Sequence, residues 1–348
     1  MTDTQRVATT AAKSALPECL ARHRDLIDGA LREAVDRLPP AVHTAAAYHF
    51  GWCDADGREL AGNGGKAIRP AMTLLAAEAC GARPEAALAG AVALELVHNY
   101  SLVHDDLMDG DTERRHRATV WAVFGAGQAI IVGDALAALA QELLLDDARG
   151  RDQAAAELCR ATAEMIEGQA HDLEFETRLQ VSVAEGLQMS AQKTGALLGC
   201  AGALGAILAG ADEAHVAALR SFGRNLGIAF QAVDDVLGIW GDTSVTGKPT
   251  ASDLRQRKKT LPILHALEAP TAAADELRAL LAGADELVDE RLRDAVTLLD
   301  DAGSRTWALK LAKRYLAHAL AALEGHALEP GPAADLHVAA LFIVGRDF

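Results

Sequence analysis

The chain has little of what sheets and disulfide frameworks are built from. Of its 348 residues only 4% are aromatic, and runs rich in Val, Ile and Thr between turn signals are scarce, so a substantial sheet is not expected. The 5 cysteines are odd in number. They stand far apart at Cys19, Cys53, Cys80, Cys159 and Cys200 with no C-x-x-C pair, which excludes a disulfide scaffold or zinc knuckle and points to a reducing cytoplasm. Basic excess is missing too: 33 Lys and Arg face 49 Asp and Glu, a net charge of −16. Such a surface repels polyanions and excludes nonspecific binding of nucleic acid or anionic membranes. The first residues lack an apolar signal-peptide core, and no repeat or Pro/Gly/Ser-rich linker divides the chain. The expectation is a frayed tail over 1–15 and a single domain over 16–348. One uncharged run, GALLGCAGALGAILAGA at 195–211, is rich in Gly and Ala and short of the ~20 strongly apolar residues of a membrane span. It reads as a tightly packed core helix, so no membrane span is expected.

What the chain does contain is helix. Proline is absent from 85 to 248, and apolar residues recur at helical spacing over 85–109, 128–147, 153–176, 183–209 and 214–240. The acidic, Ala-rich stretch 270–301 reads as shorter peripheral helices. The fold class is therefore all-α, one helix bundle around a central cavity.

Two acidic clusters stand out on this background. Residues 101–117 read SLVHDDLMDGDTERRHR. Asp105 and Asp109 are four residues apart, so a helix directs both carboxylates from one face into a small volume. Like charges held that close call for cations, and hard oxygen ligands with room for phosphate oxygens suit Mg2+. Standing alone, D-D-x-x-D also reads as a solvated acidic helix end, although the dipole disfavours it. An EF-hand fails on ligand order. The second cluster, Asp234 and Asp235 in AFQAVDDVLGIW, is flanked by apolar residues, and a buried carboxylate needs a metal, cation or donor. Facing one another across a bundle, the two clusters would bind a metal–diphosphate. The few cations gather in loops and helix starts at 64–70, 114–115, 193–194, 247–249 and 253–259, where Lys and Arg suit phosphate oxygens.

Read in order, the blocks are GGKAIRP at 64–70, ELVHNYSLVHDDLMD at 95–109, RR at 114–115, GD at 133–134, GQAHD at 168–172, KTG at 193–195, FQAVDD at 230–235, GKP at 247–249 and DLRQRKKTLP at 253–262. In this order they resemble the trans-isoprenyl diphosphate synthases, or polyprenyl synthetases, over roughly residues 20 to 348. By that resemblance Lys66, Arg69, His98 and Arg115 bind the diphosphate of isopentenyl diphosphate, while Arg114, Lys193, Lys248 and Lys258 hold the allylic diphosphate. Asp105, Asp109 and Asp234 would ligate Mg2+, assisted by Asp106 and Asp235, and Thr194 and Gln231 would orient the assembly. His98 and Gln231 taken singly also read as satisfied polar groups on helix faces. The implied reaction ionises the allylic C–O bond, attacks the cation with the isopentenyl double bond, and loses a proton to the released diphosphate.

Chain length is expected to depend on Tyr100, five positions before Asp105, with the small Ser101 beside it. This pairing resembles short-chain synthases of the geranylgeranyl type, with farnesyl diphosphate as the competing product. Helix projection alone places Tyr100 well off the Asp105 direction. The sequence departs from the family pattern at Gly238, where a third aspartate of the second cluster is expected, and at Ala67, often a cation. A non-catalytic subunit of a heteromeric synthase and a class I terpene cyclase are the rival readings. The intact first cluster speaks against the one, and Lys66, Arg69 and Arg115 against the other. The family also implies a homodimer, with 195–211 as a candidate contributor.

Overall fold

The computed structural model describes residues 16–60, 65–146, 151–178, 180–241, 251–282, 287 and 289–345; the tail 1–15 and Lys248 lie outside the described residues. Helices α1 (Arg24–Val35), α2 (Pro40–His49) and α3 (Ile68–Ala79) lead into α4 (Leu88–Met108), α5 (Ala126–Asp146) and α6 (Arg151–Thr177). Then come α7 (Val183–Ser190), α8 (Ala196–Leu208) and α9 (Glu213–Trp240). The chain ends with α10 (Leu261–Glu268), α11 (Ala272–Ala282), α12 (Asp289–Asp301), α13 (Ser304–Ala321) and α14 (Pro330–Val344). Local chemistry sets several starts. Ser182 and Glu185 form a reciprocal capping box for α7, and Asp212 accepts the His215 N–H at 2.9 Å to open α9.

The Gly/Ala-rich run is the centre of the bundle. Every residue of α8 is buried, and α8 lies against α9, α3, α6 and α4, while α9 packs on α13 and α4 on α5. Small side chains let backbones approach closely: a Cβ on Gly223 of α9 would fall 2.0 Å from the Leu198 carbonyl oxygen of α8. Within the run 195–211 expected to contribute to a dimer, α8 itself offers no exposed face, and only 209–211 reach the surface. The exposed apolar side chains lie elsewhere, among them Ile130 and Ile131 on α5, 47% and 51% exposed. The run at 195–211 is also not alone in its apolarity. By length and composition 84–108 and 126–145 could each cross a bilayer, with 61% and 39% of their apolar windows buried within the bundle.

Two details depart from the sequence pattern. The helix expected over 183–209 is interrupted at Ala191–Gly195 by one turn of π-helix, which periodicity cannot reveal. Among the described residues the strands are confined to a hairpin of Glu113–Arg114 and Arg117–Ala118. Its two-residue turn places Arg115 and His116 at φ of 52° and 61°, the pattern of a type I′ turn and costly without glycine. Arg117 fixes the hairpin. It donates to the Tyr48 and Cys53 carbonyls at 3.0 and 2.9 Å and lies 4.3 Å over the Tyr48 ring.

Overpacking the α8–α9 contact should destabilise the fold. Gly223→Ala is expected to lose about 2–3 kcal/mol in urea denaturation; a loss under about 0.5 kcal/mol would show that the two helices separate freely. A second prediction concerns acid. His49 ends α2, and its Nε2–H donates to Asn99 Oδ1 of α4 at 3.0 Å. Burial pushes this imidazole down to about 3, with the Arg115 charge adding to the effect. The unfolded chain binds a proton near pH 6.5 that the folded chain refuses, so stability is lost as pH falls from 6.5 toward 3. The side chain keeps some exposure to a cavity, so the slope is at most about 1.4 kcal/mol per pH unit. His49→Gln should flatten the fall in denaturation midpoint between pH 6.5 and 5, and an unchanged slope would remove His49 from this role.

Candidate functional site

The first carboxylate cluster sits where α4 stops. Asp109 caps the helix, its N–H donating to the Asp105 carbonyl at 2.8 Å, and Gly110 follows at φ 69°. Asp105 is half-buried and its carboxyl is pushed up to about 6 by burial; Lys193 and Arg114 oppose the shift, and Asp109 and Asp172 add to it. Asp106 points the other way. It is 1% exposed and accepts Arg114 Nε at 2.6 Å, and burial raises its carboxyl despite that partner. Adjacent acids on one helix thus divide the work between cleft and interior.

The second cluster repeats this division on α9. Asp234 is exposed while Asp235 is buried. Asp235 accepts Gln231 Nε2 at 2.8 Å and the Leu261 N–H, which opens α10, at 2.9 Å. Gln231 Oε1 in turn accepts the Thr194 hydroxyl at 2.7 Å. Burial, with Asp253 and Asp234 adding, pushes the Asp235 carboxyl up to about 7 against both donors. One chain of hydrogen bonds therefore ties the π-turn, α9 and the start of α10. Where the third aspartate was expected, a Cβ on Gly238 would meet Asp253 Oδ2 at 2.0 Å. A carboxylate fills that space, delivered from the helical turn Ser252–Arg255 rather than from α9.

Cations reach the cleft from three directions. Lys193 leaves the π-turn and pairs with Asp172 of α6 at 2.6 Å. Gly168 permits this, because a Cβ there would lie 2.3 Å from the Lys193 backbone nitrogen. Lys258 pairs with Asp109 at 3.2 Å. Burial acts to lower its pKa, and Asp109 and Asp172 outweigh burial and raise it. Arg69 Nη1 lies 3.1 Å from His98 Nε2. Since arginine only donates, Nε2 accepts and the ring proton sits on Nδ1; burial and the Arg69 charge hold His98 neutral, well below its usual range.

Arg69, His98, Asp105, Lys193 and Thr194 line a cavity of about 370 Å³ together with the apolar Met165, Leu173 and Leu197. Tyr100 and Ser101 border the same cavity, contrary to the helix projection. The Tyr100 ring meets His104 edge-on at 4.9 Å, and Ser101 donates to the His98 carbonyl at 2.8 Å. Arg114 and Arg115 line a second cavity of about 450 Å³ with Asp106 and His49, and Arg115 is near enough to Arg69 and His98 for its charge to act on both. Lys66 is exposed, its Nζ 5.8 Å from the Phe342 ring centre. Three residues near these groups were not singled out from sequence: Asp172, Glu95 and Asn99. Asp172 ends the GQAHD block, a signal that was present.

Among the described residues no three His, Cys, Asp or Glu side chains converge to hold a metal unaided. The donor chemistry nonetheless fits Mg2+. Asp105 is a carboxylate in want of positive charge, and Mg2+ takes one or two carboxylates together with phosphate oxygens rather than a closed protein cage.

A family model described as Polyprenyl synthetase matches residues 51–299. The (2E,6E)-farnesyl diphosphate synthase of Mycobacterium tuberculosis (strain ATCC 25618 / H37Rv) is 45% identical over 326 residues, covering 92% of this chain and 91% of its own length. A geranylgeranyl diphosphate synthase of the same strain is 44% identical over 295 residues, 84% of each chain. Among solved structures, the polyprenyl synthetase from Streptomyces coelicolor A3(2) matches with a TM-score of 0.90 and 49% identity over 94% of this chain and 98% of that one. A geranylgeranyl pyrophosphate synthase from Corynebacterium glutamicum, complexed with isoprenyl diphosphate and magnesium, matches with a TM-score of 0.82 and 25% identity over 94% and 99%. The chain belongs to the polyprenyl synthetase family and is a prenyltransferase.

Proposed function

We propose that this prenyltransferase condenses isopentenyl diphosphate with an allylic diphosphate to make a short-chain prenyl diphosphate, geranylgeranyl diphosphate in particular. The observation that carries the reading is the division of both acid clusters: Asp106 and Asp235 are buried on protein donors, whereas Asp105 lines the cavity, Asp109 meets the Lys258 ammonium and Asp234 is exposed. Bound between the cleft carboxylates and the substrate, Mg2+ would neutralise charge on the departing diphosphate. Lys193 and Lys258 turn from Asp172 and Asp109 toward the allylic diphosphate, with Arg114 and Lys248 completing that set. Lys66, Arg69, His98 and Arg115 take the isopentenyl diphosphate, His98 through its Nδ1–H. Thr194 and Gln231 fix the π-turn so that Lys193 keeps its direction, and Asp253 stands in for the missing third carboxylate. The apolar cavity excludes water from the allyl cation, and the released diphosphate takes the final proton.

Tyr100 lines the same cavity as Met165, Leu173 and Leu197, which supports its role as a limit on product length, with Ser101 leaving room beside it. The relatives bear both farnesyl and geranylgeranyl names, so farnesyl diphosphate is the alternative product. The proposed working form is a cytoplasmic homodimer joined through the exposed apolar face of α5, with residues 16–348 acting as one catalytic unit.

Incubation with Mg2+, isopentenyl diphosphate and each allylic starter tests the reading. Elongated prenyl diphosphates are expected; hydrocarbons would mark a cyclase, and silence until a second protein is added would mark a subunit. Asp105→Ala should lower turnover at least about a hundredfold, and a near-normal rate would remove Asp105 from metal binding. Tyr100→Ala should lengthen the product, read by chromatography of the dephosphorylated alcohols. An unchanged product distribution would contradict a floor at that position.

A further inference from the structure

Glu95 is the one acid of α4 placed beneath the cations assigned to isopentenyl diphosphate, and it has no part in the chemistry above. It is 4% exposed. Burial pushes its carboxyl up, and the Arg69 charge, the Asn99 amide and the charges of Arg115 and Arg24 act against that shift. None of the three arginines makes a direct ion pair with it among the described residues; Arg24 is committed to Asp28 at 2.6 Å. What holds Glu95 is Asn99, itself 1% exposed. Asn99 Nδ2 donates to Glu95 Oε1 at 3.2 Å and to the Glu95 carbonyl at 2.8 Å, while its Oδ1 accepts His49 Nε2–H. The carboxylate is thereby anchored through neutral groups instead of through the guanidiniums it attracts.

That arrangement answers a specific difficulty. Enclosure by the protein disfavours the charges of Arg69 and Arg115, and neighbouring guanidiniums add to the effect; Glu95 opposes it at both, alone at Arg69 and together with Asp106 at Arg115. A direct ion pair would neutralise them equally well, but it would occupy the N–H groups that a diphosphate must receive. Arg69 illustrates the point: its Nη1 meets only the neutral His98 ring, and its buried Nε has no partner. We infer that Glu95 is a positioning residue, a fixed counter-ion that holds Arg69 and Arg115 together, charged and with donors open, for the diphosphate of the non-allylic substrate. The inference rests on the assignment of Arg69 and Arg115 to that diphosphate.

The test is Glu95→Gln, nearly identical in shape and lacking the charge. Its KM for isopentenyl diphosphate should rise about tenfold, some 1.4 kcal/mol of lost binding, while the KM for the allylic starter and kcat stay within about twofold. Glu95→Asp keeps the charge and should give a smaller rise confined to the same KM. An unaltered KM for isopentenyl diphosphate would overturn the role, as would a parallel rise in both KM values, which marks a merely structural residue. If Glu95→Gln melts below assay temperature, the same two outcomes are read from Glu95→Asp. Arg69→Ala separates this inference from the site assignment. An unchanged isopentenyl KM in that variant would fault the assignment; a raised one, with Glu95→Gln silent, would fault Glu95 alone.

Discussion

Like charges that face one cleft must be held there by something stronger than their repulsion. Asp105 and Asp109 project from a single turn of α4, Asp172 approaches from α6 and Asp234 from α9. Burial pushes up the Asp105 carboxyl, and the nearby Asp109 and Asp172 charges add to the shift. Rigid helices resist the spreading that flexible loops would allow, and the helices are rigid because α8 fills the middle of the bundle with side chains small enough for neighbouring backbones to touch. Lys193 and Lys258 relieve part of the repulsion by pairing with Asp172 and Asp109. The same two ammonium groups are the ones the proposed allylic diphosphate would attract.

A second regularity runs through both clusters. In each aspartate pair the second member is buried and bonded to protein, Asp106 to Arg114 and Asp235 to Gln231 and the Leu261 N–H. These bonds connect cleft to scaffold. Through Asp106 the end of α4 is joined to the hairpin that presents Arg115, and through Asp235 the end of α9 is joined to the π-turn that presents Lys193. Glu95 and Asn99 extend the pattern one level deeper, beneath Arg69.

Much of this was legible in the sequence because its signals are local. Helical spacing and the proline-free interval located α4, α5, α6 and α9 to within a few residues, and four-residue spacing placed Asp105 and Asp109 on one face. What escaped depends on contacts between distant segments. The π-turn at Ala191–Gly195 conforms to the apolar pattern of an ordinary helix and shows itself only where Gly168 of α6 meets Lys193. Gly238 reads as a lost ligand until Asp253 is found in the same space. Tyr100 projects away from Asp105 on an ideal helical wheel, yet a ring long enough to reach His104 borders the same cavity. The Gly/Ala run was legible as a tightly packed core helix, and α8 is buried throughout; what its composition could not show is which helices surround it.

The central claim is that the cleft carboxylates form a metal site that is complete only with a diphosphate. Titration of Mn2+ into the protein, followed by electron paramagnetic resonance with and without inorganic pyrophosphate, tests it directly. The account predicts weak Mn2+ binding to the protein alone and at least about tenfold tighter binding when pyrophosphate is present, an enhancement lost in Asp105→Ala. Tight Mn2+ binding in the absence of any diphosphate, or equal binding with and without it, would contradict the account.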